Sequence, residues 1–167
     1  EFSEKYEDIH MNIEKRLFEI IGEEAGYLHT ARSRNDQVIT DFKMWMKKAT
    51  KEIIINLDTI IKSTLKISEK NIETIMPGFT HLKNAQAISL AHYLMAYVEM
   101  FTRDKKRFEK NLESLNENPL GVAALAGTSF NIDRSYTTKK LGFKYPTNNS
   151  IDTVSDRDFV LDFLYSV

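Results

Sequence analysis

Two stretches of this chain run for more than thirty residues without proline or glycine, and each carries apolar side chains at helical spacing. The first, from about Asn35 to Lys70, sets Val38, Phe42, Trp45-Met46, Ala49, Ile53, Leu57, Ile60-Ile61, Leu65 and Ile67 in one stripe. The second, from about Ala85 to Asn116, does the same with Ile88, Ala91, Leu94-Met95, Val98, Phe101, Phe108, Leu112 and Leu115. A helix of roughly 33 residues is about 50 Å long. A compact globule of this chain length is only about 40 Å across. The 167 residues therefore cannot wrap both helices by themselves. Their apolar faces must meet other helices, from further sequence or from other subunits, which predicts an elongated helical bundle and oligomerisation.

The rest of the chain is punctuated. Pro77, Pro119 and Pro146, with Gly78, Gly121, Gly127 and Gly142, mark loops between the periodic stretches. A first helix is predicted over about Ser3 to Ile21, ended by Gly22 and Gly26. A short helix is predicted over Tyr136 to Leu141, and a last one from near Asp152 to the end. No period-2 run stands between turn residues, so the expected class is all-α. The six methionines fall mostly in apolar stripes and read as core filler.

Composition excludes several kinds of function. With 24 acidic and 23 basic residues the net charge is −1, so no strongly basic surface exists for a nucleic-acid backbone. Arg103 with Lys105-Lys106-Arg107, broken by Asp104, reads as a solvated face. The chain has no cysteine, which removes disulfides, thiolate metal sites and a cysteine nucleophile and suits a reducing compartment. The expected location is the cytoplasm. Ile53-Ile54-Ile55, bounded by Lys51-Glu52 and Asn56, falls far short of the roughly 20 apolar residues of a membrane span. Position 1 is not methionine, and the last ten residues carry a helical pattern with no stop signal. The chain reads as a piece of a longer protein.

Three loops hold the candidate chemistry. His29-Thr30-Ala31-Arg32-Ser33-Arg34-Asn35-Asp36-Gln37 brings two arginines, a hydroxyl and an amide to the start of a long helix. Free N–H groups there favour an anion, and arginine matches a carboxylate. The alternative is N-capping by Asn35 or Asp36 with solvated arginines. Met76-Pro77-Gly78-Phe79-Thr80-His81-Leu82-Lys83-Asn84-Ala85-Gln86 sets a histidine beside a threonine, suited to acid–base work near neutral pH or to a loop hydrogen bond. Asn118-Pro119-Leu120-Gly121-Val122-Ala123-Ala124-Leu125-Ala126-Gly127-Thr128 reads as close packing or the wall of a site. His92 reads as a structural residue inside a helix, and no histidine spacing suggests a metal.

Taken as blocks, Glu7-Asp8-Ile9-His10, the His29–Val38 segment, Pro77–Leu82 and Asn149-Ser150-Ile151-Asp152-Thr153-Val154-Ser155-Asp156-Arg157-Asp158-Phe159 resemble the argininosuccinate lyase family, in its order and at about its spacing. The resemblance implies an all-α homotetramer of the fumarase/aspartase type, built on a long helical bundle, with active sites shared between subunits. It implies reversible, cofactor-free β-elimination of argininosuccinate to arginine and fumarate. On this sequence it implies His81 as the catalytic acid–base histidine. It implies Ser33, Arg34, Asn35, Thr80 and His10 as substrate-binding residues. Residues 1–31 then belong to the end of an N-terminal domain and 32–167 to the first part of the central bundle.

Two departures stand in the second block. Lys83 replaces the family's usual glutamine, and Ala87 replaces a proline near the expected start of the third helix. Lys83 bears on His81 only if its charge points inward. The family's Ser-Ser-x-Met-Pro-Gln-Lys-Lys-Asn-Pro loop, which carries the serine base, has no counterpart in these 167 residues. The chain alone is therefore expected to be inactive. Other readings are a non-catalytic homologue like the delta-crystallins and, against the arginine-rich first block, another superfamily lyase acting on adenylosuccinate or aspartate.

Overall fold

The computed structural model describes residues 2–167. Asp8 opens α1 (Ile9–Ile21), its carboxylate accepting the Met11 N–H at 2.7 Å. The helix starts six residues later than the periodicity suggests. Ser3 is instead tied back to the Asn12 side chain through two hydrogen bonds. Gly22, with φ +74°, ends α1 and leads into a 3-10 turn, Gly22–His29.

The long helix α2 runs over Arg34–Glu69, 36 residues. It begins one residue earlier than expected, behind a capping box at Ser33. Ser33 Oγ accepts the Asn35 N–H at 3.3 Å, while Asp36 reaches back to the Ser33 N–H at 2.9 Å. Neither Asn35 nor Asp36 is the cap itself.

The chain forms two compact units. One holds the residues up to Asp41 together with Glu117–Ser155; the other holds Phe42–Asn116 and Asp156–Val167. In the first, β3 (Glu117–Asn118) pairs in parallel with β4 (Tyr145–Pro146) beside α4 (Arg134–Lys140). Arg134 binds this unit together. Its guanidinium donates to the carbonyls of Leu120, Asn118 and Thr147 at 2.9–3.1 Å. Buried Asn118 donates to Thr138 Oγ1 at 2.9 Å. Ile39, Val122 and Phe143 supply the apolar core. The unit closes with α5 (Ser150–Ser155).

The second unit contains a correction. Ile75–Thr80 (β1) and Lys83–Ser89 (β2) form an antiparallel hairpin, and α3 (Leu90–Ser114) begins only after it. Residues 85–89 are strand, not helix, so Ala87 lies opposite Pro77 in the ladder. Helix-start preferences do not apply to it. A bulge at Gly78 lets the two backbones approach; a Cβ there would stand 2.7 Å from the Gln86 carbonyl oxygen. The predicted last helix is also broken. α6 (Asp158–Ser166) starts afresh after Asp156, whose Oδ1 accepts the Asp158 N–H at 2.9 Å. Phe159 meets Phe42 edge-on at 5.7 Å, and Phe163 meets Phe108 likewise. Of the methionines, Met46 is buried, but Met44 and Met100 are exposed and do not fill a core. Among the described residues no helix is long and apolar enough to cross a membrane.

Candidate functional site

The first unit gathers His10, Ser33, Arg34 and Asn35, four of the six residues expected to work on a substrate. Asn35 is exposed in the first turn of α2, and its Nδ2 donates to the Ala124 carbonyl at 3.0 Å. Ser33 caps the same turn. Arg34 is held by its own chain. Nε lies 2.9 Å from Asp8 Oδ2, and Nη1 lies 3.2 Å from Glu14 Oε1 and 2.5 Å from Gln37 Oε1. It therefore joins the start of α2 to the start of α1. His10, mostly buried, sets Nδ1 3.2 Å from Asp41 Oδ2.

Glu14 is the centre of this cluster, although in the sequence it is only one more charge on an amphipathic helix. Its Oε1 meets Arg32 at 2.5 Å, His29 Nδ1 at 3.2 Å and Arg34 at 3.2 Å. Burial raises the affinity of this carboxyl for a proton, but the hydrogen bonds and charges of Arg34 and His29 outweigh it. The net displacement is downward. Asp41 goes the other way: burial raises it, and the charges of His10, Arg32 and Arg34 oppose this only in part. Asp36 is one of the two cap candidates in the sequence. It is fully buried and also reaches the loop after β3. The Ser-x-x-Asp spacing was the one local signal for it.

Thr80 and His81 lie in the second unit, at the tip of the β1–β2 hairpin. Thr80 faces Lys83 across the ladder, so His81 and Leu82 form a two-residue loop. Both have left-handed backbones, φ +49° and +61°, the conformation of a type I′ turn that normally favours Asn-Gly. All four residues of the turn are exposed, Lys83 among them. Beneath the hairpin a cleft of about 530 Å³ is lined by Phe79, Thr80, Ile88, His92 and Tyr93. His92 is exposed there and not an internal structural residue, because it sits in the first turn of α3, facing this cleft. Among the described residues no group of three or more His, Asp or Glu could hold a metal ion.

The chemistry on offer is thus an exposed imidazole and hydroxyl on a strained turn in one unit. The other offers an exposed amide and a hydroxyl at a helix start backed by an ion-pair cluster. Residues 3–167 match the family model described as "Lyase". The argininosuccinate lyase of Pelagibacter ubique (strain HTCC1062) is 84% identical over 166 residues, 99% of this chain and 36% of that protein. The corresponding protein of Chelativorans sp. (strain BNC1) is 59% identical over 98% of this chain and 35% of its own length. The chain thus spans about a third of the curated relatives it matches. Among solved structures, an EDDS lyase in complex with formate superposes with a TM-score of 0.86 at 32% identity, over 93% of this chain and 31% of that one.

Proposed function

Because the chain belongs to the lyase family over residues 3–167, we propose that the protein cleaves argininosuccinate reversibly to arginine and fumarate. The observation that carries this is the 84% identity to an argininosuccinate lyase along nearly the whole chain. The intact Ser33-Arg34-Asn35 and Thr80-His81 blocks fit it.

The reaction is a β-elimination. A base removes a proton from the carbon beside a carboxylate, and the electron pair forms the C=C bond of fumarate. The C–N bond breaks, and an acid protonates the departing guanidinium nitrogen. Charge gathers on the carboxylate in between, so fixed donors aimed at it lower the barrier. His81 serves the acid–base steps. Ser33, Arg34, Asn35, Thr80 and His10 bind the substrate. No cofactor takes part.

The protein works as a cytoplasmic homotetramer with sites shared between subunits. Exposed apolar side chains on α2, Trp45 and Ile55 among them, support burial against other helices. Residues 1–31 belong to an N-terminal domain and 32–167 to the central bundle. The 167 residues alone release no fumarate, because the family's serine base is not among them.

The test is fumarate formation from argininosuccinate by the full-length protein, followed by ultraviolet absorbance, with His81→Asn beside it. Activity that falls by about a hundredfold or more in the variant is expected. A folded but silent full-length protein would leave a non-catalytic homologue.

A further inference from the structure

Asp36 carries no role in the reaction as described, yet its carboxylate is fully buried and saturated with donors from two parts of the chain. Oδ1 accepts the Ser33 N–H at 2.9 Å, and Oδ2 accepts the N–H groups of Gly121 at 3.0 Å and Ala123 at 2.9 Å. A helix cap needs only the first of these. The other two fix a loop 85 residues away, in a shape it would not hold unaided. Gly121 has φ +99° and Ala123 φ +54°, and a non-glycine residue stays in that region only where its surroundings over-determine it. Arg134 works on the other side of the same loop, taking the Leu120 and Asn118 carbonyls at 3.1 Å. The loop is held by an anion through its N–H groups and by a cation through its carbonyls.

What the loop presents is the Ala124 carbonyl, which accepts from Asn35 Nδ2 at 3.0 Å. An asparagine amide can turn either end outward. A carbonyl at this position takes the NH₂ end and leaves Oδ1 as the free acceptor.

We propose that Asp36 is a positioning residue: through the 120–124 loop it sets the direction of the Asn35 amide and so the way Asn35 meets substrate. This rests on the reading of Asn35 as a substrate-binding residue. In Asp36→Asn a single amide oxygen must serve both sides, and an NH₂ group faces N–H donors. The loop is released and Asn35 loses its guide.

The experiment is a double-mutant cycle in the full-length protein with Asp36→Asn and Asn35→Ala, read as kcat/KM for argininosuccinate. Misplacement of a binding group predicts a loss of about tenfold to a hundredfold for Asp36→Asn alone. In the Asn35→Ala background the further loss is expected to be under about twofold, since the residue it acts through is gone. Equal losses in both backgrounds would overturn the proposal and leave Asp36 a purely structural residue. If Asp36→Asn does not fold, Arg134→Lys loosens the same loop from its carbonyl side, and the same non-additivity is expected. A third measurement needs no variant. The Gly121 and Ala123 amides should exchange slowly with solvent in the unmutated protein, and rapid exchange would refute the anchoring. If the full-length protein forms no fumarate, the lyase reading fails, while amide exchange still judges the loop.

Discussion

Lys43 is almost wholly buried on α2, with Nζ 3.4 Å from Asp156 Oδ2 and 5.0 Å from the centre of the Phe159 ring. At that separation, an effective dielectric of about 20 makes the gross attraction about 5 kcal/mol. Desolvation of the ammonium takes back several kcal/mol, so the pair as a whole is worth little. Removing one partner is another matter. Lys43→Met keeps the volume but leaves Asp156 without its counter-ion. Because Asp156 is a quarter exposed and keeps the Asp158 N–H, the expected loss is about 2–3 kcal/mol, below the full cost for a deeply buried charge. Asp156→Asn strands the buried ammonium and should cost more, about 3–4 kcal/mol. The double variant Lys43→Met/Asp156→Asn should lose less than the two single losses together, with a coupling of about 2 kcal/mol. Urea unfolding followed by circular dichroism measures all four proteins. A coupling below about 0.5 kcal/mol would refute the reasoning that each charge is costly only when its partner is removed.

Leu82→Gly should stabilise the hairpin. Leu82 is 99% exposed and has φ +61°, so glycine loses no packing and relieves about 1 kcal/mol of left-handed strain. Amide exchange across β1 and β2 would show the slower opening, and faster opening would contradict the strain argument. Glu14 sets an acid limit. Its proton affinity is lowered in the folded chain, so the stability it contributes is complete above its ordinary value near 4.5 and is lost as pH falls through the lower native value. Glu14→Gln removes that dependence. Thermal unfolding between about pH 5 and pH 3 should therefore fall more steeply for the unmutated protein, and equal slopes would exclude Glu14 as the cause.

The long helices were legible because their signal is local. Val38, Phe42, Trp45 and Met46 repeat at the turn of a helix whatever surrounds them, and the boundaries of α2 follow to within a residue. The candidate site was legible through blocks of sequence, not through periodicity. His81 and Thr80 stand in a recognisable run, but nothing local says that they cap a hairpin. Pro77 and Gly78 interrupt the first strand and no alternation marks the second, so the ladder has no signature of its own.

Sequence by itself determined the helical class, the long helix α2 and the body of α3, the family resemblance and the candidate residues. These depend on side-chain identity at short spacing. Tertiary structure alone decided the left-handed turn under His81, which follows from the Thr80–Lys83 register. It also decided the engagement of Arg34 by Asp8 and Glu14, and the grip of Asp36 on residues 121 and 123. Each of those depends on which distant group fills a side chain's hydrogen-bonding capacity, and a buried carboxylate or guanidinium takes its partners from wherever the packed chain brings them.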